Sequence, residues 1–145
     1  MKHKHLVFTI AWVIGVAFAL AAPMAGARDL TEQKLAGAVG CKVTEIAPAE
    51  AKAEFDRENA VFLDCREPSE YESGHIPGAI NIPSGLMESE ISDRVPDNAA
   101  RIIMYCRTGV RANSACLTVE SMGFRNVVNI QGGWKAWSRA GYPVE

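Results

Sequence analysis

The amino-acid sequence predicts an α/β fold, with a parallel sheet of about five strands and helices on both faces. Short apolar runs alternate with longer segments of helix-forming residues along the chain. Neighbouring apolar runs are not joined by tight hairpin signals, and strands that are connected through helices pair in parallel. In such sheets, ligands bind beyond the carboxyl ends of the strands. We therefore expect the chemistry at that edge.

The first elements follow from apolar runs and helix starts. Residues 43–46 form a weak predicted strand. Pro48 stands at a natural first position of a helix, and residues 49–58 are nearly all helix formers. The continuous apolar run 60–63 is short enough for a buried strand. Residues 68–74 carry turn residues and one predicted helical turn.

The middle of the chain predicts a short strand followed by an amphipathic helix. Residues 79–82 form the strand, which Pro83 stops. Ser84 can cap a helix that runs to about Arg94. The residues predicted to face inward from this segment are Leu86, Met87, Ile91 and Val95.

The last third of the chain predicts two strands, each followed by a helix. Residues 101–105 form a buried strand, and a helix covers 109–122, with Gly123 just after its end. Residues 127–130 form the last strand, and a short helix with two tryptophans ends at Gly141. The residues on the apolar face of the longer helix, at i, i+3, i+4 spacing, are Ala112, Ala115, Cys116, Val119 and Met122.

Composition and the first residues indicate one domain behind an export signal. The 145 residues are 48% hydrophobic with a net charge of −2, which fits one globular domain and argues against non-specific nucleic-acid binding. Residues 1–27 show a basic start, an apolar run and a small-x-small site, as signal peptides do. We expect cleavage after Ala27, a lead-in at 28–41, a folded domain at 42–145 and export to the bacterial periplasm. The alternative is an uncleaved membrane anchor, although the apolar run is shorter than the ~20 residues of a spanning helix.

Few residues remain for metal or disulfide chemistry in the mature chain. His75 is the only histidine after residue 27, so a His-rich metal site is excluded. The cysteines form no C-x-x-C pair, which argues against a thioredoxin-like motif and a zinc ribbon. Disulfides are compatible with an oxidising compartment, and the sequence leaves their pairing open. The four cysteines are Cys41, Cys65, Cys106 and Cys116.

A strand, a short loop and a helix surround Cys106. The predicted strand 101–105 delivers this cysteine to the carboxyl edge of the sheet, and Gly109 permits a positive φ in the loop that follows. Successive backbone N–H groups in such a turn point into one small bowl, which suits an anion.

The charge pattern around Cys106 is positive. Segment 98–119 contains no Asp or Glu but contains Arg101, Arg107 and Arg111. Thiols at helix N-termini beside arginines ionise readily, so we expect a thiolate at Cys106 that needs no base. The same field would attract a small anionic donor such as thiosulfate. The alternative, an inert buried thiol, fits poorly with flanking arginines.

The length of the loop separates two classes of anion chemistry. Cys106 and Arg111 form a Cys-x4-Arg pattern, whereas cysteine phosphatases use Cys-x5-Arg and would place the arginine at position 112, which is Ala112. The shorter loop makes a tighter bowl, which suits one extra sulfur better than a phosphoryl group. A phosphatase or arsenate reductase is therefore the less favoured hypothesis.

Three motifs in order resemble the single-domain rhodanese (thiosulfate sulfurtransferase) family. Residues 64–71 and 74–83 (DCREPSEY and GHIPGAINIP) are similar to its first signature. Residues 105–111 (YCRTGVR) are similar to its active-site loop, and residues 132–144 (GGWKAWSRAGYPV) to its closing motif. The resemblance covers the chain from about residue 43 to the end.

The resemblance implies a rhodanese-like fold and a two-step sulfur exchange. The Cys106 thiolate would take a sulfane sulfur from thiosulfate, a polysulfide or a persulfide, and become a persulfide. Cyanide or a thiol, including a protein thiol, would then remove that sulfur, with no cofactor or metal. A sulfur carrier or partner-binding module without turnover is the alternative. The implied substrate-binding residues are Arg107, Thr108, Gly109, Val110 and Arg111.

Supporting residues are predicted around this loop. Asp64 and Arg66 flank one strand end and are expected to form an ion pair that braces the site, and His75 is expected to be a hydrogen-bonded turn residue. Trp134 is expected at the pocket wall or mouth, with Trp137 in the core.

The other three cysteines have less specific predicted roles. Cys65 departs from the family, which usually has a small apolar residue there. It is a candidate second thiol near Cys106, although packing as a small strand residue is the favoured interpretation. Cys116 is predicted to pack in the core, and Cys41 is unplaced.

Overall fold

The computed structural model describes residues 43–145, which contain five strands and five helices. The leader at 1–27, the lead-in at 28–41 and Cys41 lie outside the described residues. In chain order the elements are β1 Glu45–Ile46, α1 Pro48–Asp56, β2 Val61–Asp64, α2 Pro68–Glu72, β3 Ile80–Asn81, α3 Met87–Arg94, β4 Ile102–Tyr105, α4 Val110–Ser121, β5 Val127–Ile130 and α5 Gly133–Arg139.

The five strands form one parallel sheet in the order β1-β5-β4-β2-β3. The central strand is β4, which pairs with β5 on one side and with β2 on the other. Strands β2, β4 and β5 have four residues each, and all of these except Val61 are buried, as expected for strands covered on both faces. The predicted α/β class and the parallel sheet are confirmed.

Helices cover both faces of the sheet, as predicted. Successive residues of a strand point to opposite faces, so Leu63 and Met104 pack with α3 and α4, while Phe62 and Ile103 pack with α1 and α5. The largest side chain of the second layer is Trp137, which is fully buried. The carboxyl end of β4 therefore lies between the two layers of helices.

The start of α3 differs from the prediction. The helix begins at Met87 after Leu86, not at a Ser84 cap, and the Leu86 side chain is 46% exposed. Leu86 N donates to Pro83 O at 2.8 Å and Ser84 N donates to Cys65 O at 3.2 Å. Because these bonds form a turn tied to β2, the helix starts two residues later than a Ser84 cap would place it, and the predictions for Ser84 and Leu86 were wrong.

No helix within residues 43–145 is long and apolar enough to span a membrane.

Candidate active site

Cys106 follows the central strand directly and lies at the mouth of the sheet. Its side chain is 1% exposed, and the backbone N–H of Gly109 points back to donate to Cys106 Sγ at 3.2 Å. Gly109 adopts a φ of +97°, and helix α4 begins at the next residue, Val110. A partially positive helix N-terminus therefore faces the sulfur, which favours an anion there.

The first turn of α5 closes on the other side of the Cys106 loop. Trp134 N donates to Cys106 O at 2.8 Å, and Lys135 N donates to Arg107 O at 3.1 Å. Gly133 has a φ of +56°, and a Cβ at this position would lie 2.3 Å from Cys106 O. The sequence indicated a turn at this glycine but not its contact with the cysteine loop.

Asn129 holds the loop from the neighbouring strand. This fully buried residue of β5 donates from Nδ2 to Gly109 O at 3.0 Å and to Glu45 Oε1 at 3.1 Å. The sequence signal for this role is a single amide within the otherwise apolar run V-V-N-I, and no role for Asn129 was predicted.

Arg111 lies between Cys106 and an acidic partner from a distant segment. Its guanidinium donates to both carboxylate oxygens of Glu70, at 2.8 and 3.0 Å. The hydrogen bonds with Arg111 lower the pKa of Glu70, and Glu70 is the main cause that raises the pKa of Arg111, with a further contribution from Cys106. The sequence motif included Glu70, but no role for it was predicted.

Arg101 does not contribute to the positive field at Cys106, so this part of the charge prediction was wrong. Arg101 stands just before β4, at the opposite end of the strand from Cys106, and donates to the Glu54 carboxylate at 2.9 and 2.7 Å. Four strand residues span roughly 13 Å. Of these three arginines, only Arg107, which is exposed, and Arg111 lie near Cys106.

Asp64 and Arg66 form a buried ion pair beside the site. Both are at most 3% exposed, and Arg66 Nη2 lies 2.6 Å from Asp64 Oδ2. Arg66 also donates to Gly74 O at 2.7 Å, and its guanidinium carbon is 4.8 Å from the centroid of the Trp134 ring. The pair thus fixes the β2 end against the wall of the site, in agreement with the predicted contact.

A polar cleft lies next to the Cys106 loop. Trp134 and the exposed Arg107 contribute to it, so Trp134 stands where it was expected, and its role in binding stays a prediction. Thr108 of the same loop and Val110, the first residue of α4, are exposed. The residues that line the cleft are Arg66, Ser69, Glu70, Ser73, Arg107 and Trp134.

His75 contacts a different part of the chain. Its Nδ1 lies 3.0 Å from Tyr71 O, its Nε2 lies 3.1 Å from Glu145 Oε1, and its ring stacks on Tyr71 with 3.6 Å between the centroids. None of these contacts involves the Cys106 loop. The structure therefore places His75 in a hydrogen-bonded turn and does not bring it together with Cys106.

The cysteines at 65 and 116 are buried free thiols, as is Cys106. Cys65 donates from Sγ to Tyr105 O at 2.9 Å, and Cys116 Sγ lies 3.5 Å from Met104 Sδ. Burial is the main cause that raises the pKa of both thiols, well above the usual value for Cys65 and to about 12 for Cys116. Neither thiol is set up to ionise at neutral pH.

Two of three similar curated proteins have names from sulfur chemistry, and the third is named as a tRNA hydroxylase. A protein of Allochromatium vinosum named a sulfurtransferase is 35% identical over 89 residues, which cover 61% of this chain and 81% of that protein. A Bacillus subtilis protein named as a sulfur carrier is 33% identical over 97 residues, 66% of this chain and 51% of its own. A tRNA uridine(34) hydroxylase of Erwinia tasmaniensis is 35% identical over 95 residues, which cover 63% of this chain and 27% of that protein. This chain thus spans only about half or less of two of these relatives.

Solved structures share the fold. A rhodanese-related protein from Thermoplasma volcanium superposes with a TM-score of 0.63 at 27% identity, covering 70% of this chain and 97% of that one. The thiosulfate sulfurtransferase from Pseudomonas aeruginosa gives a TM-score of 0.66 at 26% identity, covering 81% and 22%. The family model described as the rhodanese-like domain matches residues 47–140, within the predicted domain at 42–145. This chain therefore belongs to the family of rhodanese-like domains.

Proposed function

We propose that this protein is a sulfurtransferase that carries a sulfane sulfur on Cys106. The donor is a small anion such as thiosulfate, a polysulfide or a persulfide, and the acceptor is cyanide or a thiol. The observation that carries the proposal is the Gly109 N–H directed at Cys106 Sγ, at 3.2 Å, where α4 begins.

The reaction divides into two displacements at sulfur. In the first, the Cys106 thiolate attacks the outer sulfur of thiosulfate, a new S–S bond forms, and sulfite leaves with the electron pair of the broken bond. In the second, the acceptor attacks the outer sulfur of the Cys106 persulfide, and the thiolate is regenerated. With cyanide, the product is thiocyanate.

The loop favours the anionic species of both steps. The N-terminus of α4 stabilises negative charge on Cys106 or on a sulfur attached to it, because its first N–H groups have no partner within the helix. Arg107 lines the cleft and Arg111 lies in the first turn of α4, in its pair with Glu70; both would attract an anionic donor. The family relatives named as a sulfurtransferase and a thiosulfate sulfurtransferase support the same chemistry.

Replacing the thiol tests the proposal directly. Reduced protein incubated with thiosulfate should become heavier by one sulfur atom, as measured by intact mass, because the persulfide is covalent. Cys106→Ser should not, since a hydroxyl is not ionised at neutral pH. Cys116→Ala removes a buried thiol from the core and should still load. Absence of loading in the wild type with every sulfane donor, or loading in Cys106→Ser, would overturn the proposal.

Arg111 is expected to accelerate loading from an anionic donor. Arg111→Ala should lower the second-order rate of loading from thiosulfate by about 10-fold, the effect of losing one charge-assisted contact at a partly exposed site. Arg139→Ala, which removes an arginine from the far end of α5, should load at the wild-type rate. Equal rates for both variants in stopped-flow or quenched mass measurements would contradict a role for Arg111.

A sulfur carrier without turnover is the second candidate. It is favoured by the relative named as a sulfur carrier and by the open cleft beside the loop. Efficient loading of Cys106 combined with background thiosulfate:cyanide turnover would identify it. Rapid hydrolysis of an aryl phosphate by the Cys106 loop would favour the phosphatase hypothesis instead.

We also propose that the protein acts in the periplasm after cleavage of its leader. The proposal is supported by the signal-peptide pattern of residues 1–27. Intact mass of the protein recovered from the exported fraction should correspond to a chain that begins after Ala27. A full-length chain retained in the membrane fraction would support the uncleaved anchor.

A further inference from the structure

Two thiols lie next to each other at the carboxyl edge of the sheet. Strands β2 and β4 are neighbours, and their last paired residues are Asp64 and Tyr105. Cys65 N donates to Tyr105 O at 2.9 Å, which continues the ladder by one residue. Cys65 and Cys106 are the next residues of the two strands. Neighbouring strands are ~4.8 Å apart, within the ~4.4–6.8 Å separation of Cα atoms that a disulfide spans.

The two side chains also share one face of the sheet. Side chains alternate along a strand, so Cys65 follows Leu63 and Cys106 follows Met104 on the same side, and all four belong to the core layer under α3 and α4. Cys65 Sγ points across to β4, because it donates to Tyr105 O at 2.9 Å.

We propose that Cys65 is a resolving thiol for the Cys106 persulfide, so that the protein releases hydrosulfide when no acceptor takes the sulfur. This inference rests on the proposed function, which supplies the persulfide. The sulfur of Cys65 attacks the inner sulfur of the persulfide, a Cys65–Cys106 bond forms, and the bond to the outer sulfur breaks. The electron pair and the proton from Cys65 leave with the outer sulfur as HS⁻, so the charge of the persulfide anion is conserved.

The disulfide is a resting state that a thiol reductant reverses. One dithiol, or two monothiols, would return both cysteines to the reduced form and themselves be oxidised to a disulfide. The donor's sulfane sulfur is thus reduced to hydrosulfide at the expense of that thiol. The activity differs from sulfur transfer because the sulfur leaves without an acceptor.

Burial makes resolution slow compared with transfer. Cys65 is fully buried, and the pKa of its thiol is raised by burial first and then by the charges of Cys106 and Asp64. The thiolate form of Cys65 is therefore scarce, and its attack on the persulfide is slow. An external acceptor, when one is present, takes the outer sulfur first. We therefore expect the disulfide to accumulate only when the acceptor is absent.

Cys116 does not fit the same role. It lies on α4, not at the end of the neighbouring strand, and its Sγ is in contact with Met104 Sδ at 3.5 Å. Cys116→Ala is therefore the matched control, because it removes an equally buried thiol from the same core layer.

The test follows the mass of the full chain and the sulfide released after a pulse of thiosulfate without acceptor. The wild type should first become heavier by one sulfur atom. It should then become lighter than the reduced chain by two hydrogen atoms, with one equivalent of hydrosulfide, and peptide mapping should join residues 65 and 106. Cys65→Ala should load and then keep the extra sulfur, and Cys116→Ala should behave as the wild type.

Each outcome separates this inference from the proposed function. A wild-type persulfide that persists without sulfide release, or a disulfide to Cys41 or Cys116, overturns the resolving role of Cys65 and leaves sulfur transfer intact. Absence of loading in every variant overturns the proposed function itself. If Cys65→Ala does not fold, Cys65→Val keeps the volume of a small apolar side chain and gives the same two results.

Discussion

Gly133→Ala should both destabilise the domain and abolish sulfur loading on Cys106. The new methyl group would lie 2.3 Å from Cys106 O and 2.9 Å from Gly109 N, so the cysteine loop must move. The φ of +56° adds left-handed strain of ~1–2 kcal/mol, and overpacking adds ~1–3 kcal/mol. The sum is a loss of about 2–5 kcal/mol in the free energy of unfolding, which urea denaturation measures.

The loss of loading follows from the position of the clash. Cys106 O accepts the hydrogen bond from Trp134 N, and displacing it shifts the residues that present the Gly109 N–H to the sulfur. Gly141→Ala is the matched control, because Gly141 also has a positive φ, of +72°, but a Cβ there meets nothing within 4 Å. That variant should lose only ~1–2 kcal/mol and should load normally. Equal stability and equal loading of the two variants would show that α5 does not position the cysteine loop.

The sequence was sufficient for the parts of the site that are local in the chain. Cys106, Gly109 and Arg111 lie within one strand–loop–helix segment, so their spacing could be translated into a bowl with a defined size. The same holds for the strands, because those buried on both faces appear as continuous apolar runs. These apolar runs placed β2, β4 and β5 within about a residue of their observed bounds.

The parts that failed depend on contacts between distant segments. Glu70 is 41 residues from Arg111, and Asn129 is 20 residues from Gly109, so no spacing rule connects them. Arg101 was counted with the site because it is near Cys106 in sequence, but a strand separates its two ends in space. Ser84 is a good cap by residue type, yet its backbone is bound to Cys65 O, and this tertiary bond decides where α3 begins.

Asp64→Ala should have the largest effect on stability among replacements of charged residues outside the Cys106 loop. Asp64 is fully buried and accepts hydrogen bonds from Arg66 Nε and Nη2 at 2.9 and 2.6 Å. Without the carboxylate, the guanidinium of Arg66 is left buried and uncompensated, and breaking such a pair typically lowers the free energy of unfolding by ~3–5 kcal/mol. Because Arg66 packs on the ring of Trp134, the wall of the cleft should loosen as well.

Two control variants distinguish the effect of leaving the buried charge of Arg66 unpaired from the effect of removing any carboxylate. Asp56→Ala removes the exposed pair with Lys52 and should change the free energy of unfolding by less than ~1 kcal/mol. The double replacement Asp64→Leu with Arg66→Met removes both charges, and it should recover much of the stability lost in Asp64→Ala, because no unpaired charge remains. The double variant could instead be as unstable as Asp64→Ala. In that case the hydrogen bond from Arg66 to Gly74 O and the packing of Arg66 on Trp134 stabilise the end of β2, and the ion pair contributes little to the free energy of unfolding. Denaturation curves of the three variants decide between these two sources of stability.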